Sequence, residues 1–220
     1  MIFYKRIVVS IVILLTVSFF SIGGCDIDFG TGDNGGQGVS DTESVSGQVI
    51  DIIPDIGIEG ITVEIVNDEN VKSEGVTDMS GNFTVNGDFD NNPGVVKFLD
   101  SDNVSLGNFS VNIFPGADVD LGDLRIDNGI VTLDNNEVMV IFFGDIVEIN
   151  CTGNDGSIDV EVNNIDVTVN INSSTDIERE NDNQNITCDD LLIGKEVRVD
   201  GDLPNPTGNI VDASDIEVQN

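Results

Sequence analysis

Three cysteines and 41 carboxylates are the side chains of this chain best equipped for chemistry, and it contains no histidine at all. Without histidine, Ser-His-Asp and Cys-His nucleophilic catalysis and the usual zinc ligand sets are excluded. Paired carboxylates could serve glycoside hydrolysis. So many acids are present, however, that no pair stands out by spacing, and the expectation is a non-enzyme. Asp88-Phe89-Asp90-Asn91-Asn92 sets oxygen ligands at alternate positions, as calcium loops do. Pro93 stands where such a loop needs glycine, and no glutamate occupies the twelfth position. Asp88, Asp90 and Asn92 are therefore calcium candidates set against a plain solvated turn, and Asp100-Ser101-Asp102-Asn103 matches less well. Calcium is the one cofactor the sequence raises. Six Asn-x-Ser/Thr sequons, Asn82 and Asn172 among them, follow from the asparagine-rich composition.

The cysteines are positioned by different parts of the chain. Lys5 and Arg6 open it, a mainly apolar run extends from Ile7 to Ile22, and Gly23-Gly24-Cys25 follows. A charged start, an apolar stretch and small residues before a cleavage point form the secretory signal pattern. The run falls short of the ~20 apolar residues that span a bilayer comfortably. Ile22-Gly23-Gly24-Cys25 resembles the lipobox of bacterial lipoprotein precursors. That resemblance implies cleavage after Gly24, a diacylglyceryl thioether on Cys25 and acylation of the new amino terminus. The expected location is the cell envelope, on the extracytoplasmic side of a membrane. Cys151 and Cys188 then remain as an even pair in an oxidising compartment, where a disulfide is the expected state. Two buried free thiols are the alternative.

Loss of residues 1–24 removes Lys5 and Arg6 and leaves six basic against 41 acidic residues, a formal charge of −35. Such a surface repels nucleic acid and anionic lipid headgroups, because phosphate binding requires Lys and Arg. It also favours a soluble monomer. The expected partners are the membrane, through the lipid, and an envelope protein or polysaccharide. Residues 26–43 are Gly- and Asp-rich and read as a flexible tether, with an r.m.s. reach of roughly 20–25 Å.

From Ser44 onward, short alternating runs are broken by turn residues. Val45–Val49, Ile61–Ile65, Asn82–Val85, Val95–Phe98, Phe109–Ile113, Val119–Leu121 and Leu124–Ile126 read as strands of period two. A second series comprises Ile130–Leu133, Glu137–Phe142, Ile146–Ile149, Ile158–Val162, Val167–Ile171, Glu196–Val199 and Asp215–Val218. Asp155-Gly156 and Asp200-Gly201 are tight-turn signals, and the polar stretch Arg179–Gln184 reads as an exposed loop. The fold class is all-β, with a boundary near Asn128 that divides the body into residues 44–127 and 128–220.

Ser46-Gly47-Gln48-Val49, Gly57–Val63, Thr77-Asp78-Met79-Ser80-Gly81-Asn82-Phe83 and Val111–Gly122 carry a resemblance to the carboxypeptidase regulatory-like domains. These are transthyretin-like β-sandwiches that supply structural or binding modules and bring no catalytic residues. Asp51–Asp55 departs from the family as an insertion. Asp189–Gly201 and Gly208–Val218 are similar to an uncharacterised family of exported bacterial β domains, which implies a small OB-like β-barrel. The function these readings favour is a non-catalytic lipoprotein serving as a structural or binding module. The alternative is a calcium-dependent adhesion or carbohydrate-binding protein, and a carboxylate-based hydrolase comes third.

Overall fold

A computed structural model describes residues 43–51, 56–67, 70–89, 94–134, 137–180 and 185–219. The signal segment 1–24, Cys25, the tether up to residue 42, the insertion core 52–55, Asp90, Asn92 and residues 181–184 lie outside them.

The strands run β1 (Glu43–Ile50), β2 (Thr62–Asn67), β3 (Asn70–Val76), β4 (Asn82–Gly87), β5 (Gly94–Leu99), β6 (Ser105–Val111), β7 (Asp118–Asp127) and β8 (Gly129–Leu133). They continue as β9 (Met139–Thr152), β10 (Asp155–Val162), β11 (Ile165–Ile171), β12 (Asp176–Arg179), β13 (Glu196–Asp202) and β14 (Ile210–Val218). A single 3-10 turn, Cys188–Asp190, is the one helical element among the described residues. No helix among them is long and apolar enough to cross a membrane.

The first half is a sandwich. One layer is β4-β1-β7, in which β1 runs antiparallel to β4 and parallel to β7. The other layer is β3-β2-β5-β6. Alternation decides which side chains face between the layers. On β4, Phe83 and Val85 are buried while Asn82 and Thr84 are exposed, and on β5 Val96 and Phe98 are buried. Phe83 meets Phe98 edge-to-face across the layers, with ring centroids 6.0 Å apart.

Asp78 and Gly81 build the turn into β4. The Asp78 carboxylate accepts the Ser80 and Asn82 N–H groups at 2.8 and 2.9 Å, and the Gly81 N–H bonds the Asp78 carbonyl at 2.9 Å. Gly81 has φ of +82°, and a Cβ there would stand 2.2 Å from the Val49 carbonyl oxygen. Only glycine fits such a backbone and such an approach.

The second half is a closed five-stranded barrel. Its order is β9-β10-β11-β14-β13 and back to β9, with every contact antiparallel except β11–β14. This is the order of an OB-type barrel. Within the barrel the 14-residue β9 serves two partners in turn: its first half pairs with β13 and its second half with β10. Gly144 marks the change, since a Cβ there would meet the Glu161 carbonyl oxygen at 2.6 Å.

Several sequence expectations shift in detail. Asp200-Gly201 lies inside β13 at a register shift, not in a turn, because β13 continues its pairing with both β9 and β14 through this point. The β9–β10 hairpin turns on Gly153-Asn154, with Thr152 opposite Asp155, so Asp155-Gly156 belongs to β10. The strand expected over Phe109–Ile113 ends at Val111, since the Asn112 N–H is taken by the Pro206 carbonyl at 2.6 Å. Asn128-Gly129 is a two-residue hairpin turn with both φ positive (50° and 85°), as tight hairpins require. That hairpin places β8 against β7 and β6, so residues 129–133 lie with the first half's strands.

The halves are joined. β7 pairs with β9 over Asp118–Asp120 and Met139–Ile141. Phe114 packs on Phe142 at 5.4 Å between centroids. The buried Asn112 side chain donates to the Gly208 carbonyl at 3.2 Å and bonds the Asn209 side chain. One buried cluster runs from Val45 on β1 to Val218 on β14, and the described residues of both halves belong to one compact unit.

Candidate functional site

A concavity lies between β12, the end of β14 and the segment that follows the 3-10 turn. It has a volume of about 230 Å³ and is lined by residues from β12, β14 and the segment Ile186–Lys195. Strand pairing sets its first wall: β12 runs parallel to β14, with Arg179 opposite Val218. The second wall depends on a chain of local bonds. The Asp190 carboxylate accepts both the Thr187 N–H (3.0 Å) and the Thr187 hydroxyl (2.7 Å), which closes the 3-10 turn. Asp189 accepts the Gly153 N–H at 3.0 Å and so ties that turn to the β9–β10 hairpin.

Cys151 on β9 and Cys188 in the turn form a disulfide, with Cα atoms 5.7 Å apart and Cys188 fully buried. Leu192–Lys195 then turns back on itself. The Gly194 N–H bonds the Ile146 carbonyl at 2.7 Å, with Gly194 at φ +79°. The disulfide and these bonds fix the segment on which Leu191 and Lys195 stand.

The floor of the cleft is apolar. Leu191 and Val218 are buried, Ile186 is half-buried, and Leu192 stands exposed at the rim. Two cations, Arg179 and Lys195, line the same space and are both exposed. Asp190 also lines it, with its carboxylate committed to Thr187. The Thr187 hydroxyl and N–H bonds hold its pKa below the ordinary aspartate value against the opposing effect of desolvation, with a lesser contribution from the Arg179 charge.

Of the calcium candidates read from the sequence, those described do not line the cleft. Asp88 is exposed at the end of β4, Asp90 and Asn92 lie outside the described residues, and no group of three metal-ligating side chains forms among the described residues. The Asp100 carboxylate accepts the Asp102 and Val104 N–H groups, both at 2.9 Å, and serves its own turn. Cys25 is outside the described residues. Of the Arg179–Gln184 stretch, Arg179 ends β12 rather than lying in a loop.

Sheet pairing also brings acids together that spacing did not reveal. Asp200 stands opposite Asp215, and Asp202 opposite Asp212, across β13 and β14. Burial, then the charges of Glu137 and Asp212, pushes the Asp202 pKa up. Burial, then Asp200, Glu178 and Asp176, raises that of Asp215, with Arg198 opposing. These pairs lie outside the cleft and load the strands with like-charge repulsion.

No family model and no curated protein matches this chain. Among solved structures it is similar to a 9R-lipoxygenase from Cyanothece, with 17% identity over 49% of this chain and 21% of that one and a TM-score of 0.28. The chain thus spans about a fifth of that protein's length, and a likeness at this level carries no functional argument.

Proposed function

We propose that this chain is a non-catalytic lipoprotein of a bacterial cell envelope. Cys25 carries the lipid, and the β body serves as a structural or binding module toward protein or polysaccharide partners. The observation that carries the reading is Ile22-Gly23-Gly24-Cys25 at the end of a charged-then-apolar leader, 18 residues ahead of the first strand. Each buried lipid CH₂ contributes ~0.8 kcal/mol, so two or three acyl chains hold a soluble body at a membrane. The first half is read as a carboxypeptidase regulatory-like module. Its sandwich, with first and last layer strands running parallel, supports that reading.

The test is detergent-phase partitioning of the chain expressed in a bacterium that processes lipoproteins. The native chain is expected in the detergent phase and the Cys25→Ser variant in the aqueous phase. A native chain that stays aqueous, or a variant that partitions as the native chain does, overturns the anchoring.

A further inference from the structure

The chain carries 41 carboxylates and eight cations, so an exposed cation has acids to pair with almost everywhere. Arg125 bonds Asp134 at 2.7 Å, and Arg198 bonds Asp200 at 2.8 Å. Arg179 and Lys195 take part in neither pair, and the charge of Arg179 acts on the Asp190 carboxylate from beyond ion-pairing distance. Both nevertheless line the one cleft described above, over a floor of Ile186, Leu191 and Val218. Asp190, the acid beside them, is bound to Thr187.

We infer that this cleft binds the C-terminal carboxylate of a protein partner that ends in an aliphatic residue. Arg179 and Lys195 grip the terminal carboxylate, and the terminal side chain lies on Ile186, Leu191 and Val218. Charge complementarity selects an anion, because two cations against one acid at an apolar floor favour a group that is charged at one end and apolar at the other. Volume selects a chain end. About 230 Å³ is below the roughly 300–1,000 Å³ typical of sites that enclose a whole small ligand, and it suits one side chain with its carboxylate. The net charge of −33 does not prevent this, since distant charges are screened over about 8 Å at physiological salt while the two cations act at contact.

The inference rests on the binding-module part of the proposed function and is independent of the lipid anchor, so its failure would leave the Cys25 partitioning result untouched. The probe is a fluorescein-labelled glycine-serine-glycine-leucine peptide with a free carboxylate, followed by anisotropy on the full chain in detergent. Its C-terminally amidated twin and inorganic phosphate serve as comparisons. The free acid is expected to bind at least about tenfold more tightly than the amide, a difference of ~1.4 kcal/mol. The Arg179→Gln/Lys195→Gln double variant, whose thermal unfolding matches the native chain, is expected to bind the acid no better than the amide. Three results would overturn the assignment: equal binding of acid and amide, undiminished binding by the double variant, or displacement of the peptide by phosphate at the concentrations at which the unlabelled peptide displaces it.

Discussion

Replacing Cys151 and Cys188 together by alanine removes a crosslink between residues 37 positions apart. In the chain-entropy treatment, a closed loop of that length stabilises the folded state by about 4 kcal/mol, nearly all of it by restricting the unfolded chain. Alanine suits the buried Cys188 site because it leaves no hydroxyl to satisfy. With a urea m-value of about 2 kcal/mol/M, the unfolding midpoint falls by about 2 M. The same change frees the 3-10 turn that holds Leu191 and the segment leading to Lys195, so the cleft loosens before the barrel opens. The assay is urea unfolding followed by circular dichroism, on the double variant and on the native chain with and without reductant. Reductant is expected to shift the native midpoint and to leave the variant unchanged. Identical midpoints for all four samples would show that the crosslink does not stabilise the fold, and two free thiols per denatured, unreduced native chain would show that it does not form.

Glu43 is a buried carboxylate that accepts the Phe89 N–H at 3.0 Å and the Gly116 N–H at 2.9 Å. Glu43→Ala strands both donors and is expected to cost about 2–4 kcal/mol, while Glu43→Gln, with one acceptor oxygen, costs roughly half; chemical denaturation measures both. Gly81→Ala drives a Cβ into the Val49 carbonyl at a left-handed φ, and is expected to cost at least ~2 kcal/mol in the same assay. Asp202 and Asp215 have folded pKa values raised above 3.8, so the folded state takes up their protons first as pH falls. Their ionised forms destabilise the fold above the raised values, and that cost disappears as pH falls toward 3.8. Asp202→Asn and Asp215→Asn are therefore expected to raise the thermal midpoint at pH 7, with the gain shrinking as pH approaches 4. A gain independent of pH would contradict the electrostatic cause.

Strand positions were legible wherever apolar residues alternate. Val45–Val49, Val95–Phe98 and Val167–Ile171 lie within β1, β5 and β11, because burial on one face of a sheet writes a period of two into the sequence. β3 and β12 were not legible. Asn70–Val76 has two widely spaced valines, and Asp176–Arg179 has Ile177 alone, so both depend on partners supplied by β2 and β14. The join between the halves was hidden for a related reason. It depends on Phe114 meeting Phe142 and on Asn112 bonding the Pro206–Asn209 loop, contacts between residues distant in sequence. The cleft was hidden as well. Arg179 sat in a polar stretch, Lys195 in an apolar motif and Val218 at the end of a strand, and only β12–β14 pairing and the disulfide bring the cleft together. The one available signal was scarcity: three of the six cations beyond residue 24, Arg179, Lys195 and Arg198, fall within 20 residues of one another.

Lipid attachment at Cys25 is read most directly by mass spectrometry of the amino-terminal peptide of the chain extracted from membranes. The expected peptide begins at Cys25 and carries a diacylglyceryl thioether and an acylated amino group. A peptide that begins upstream of Cys25, or one in which Cys25 bears an unmodified thiol, would contradict it.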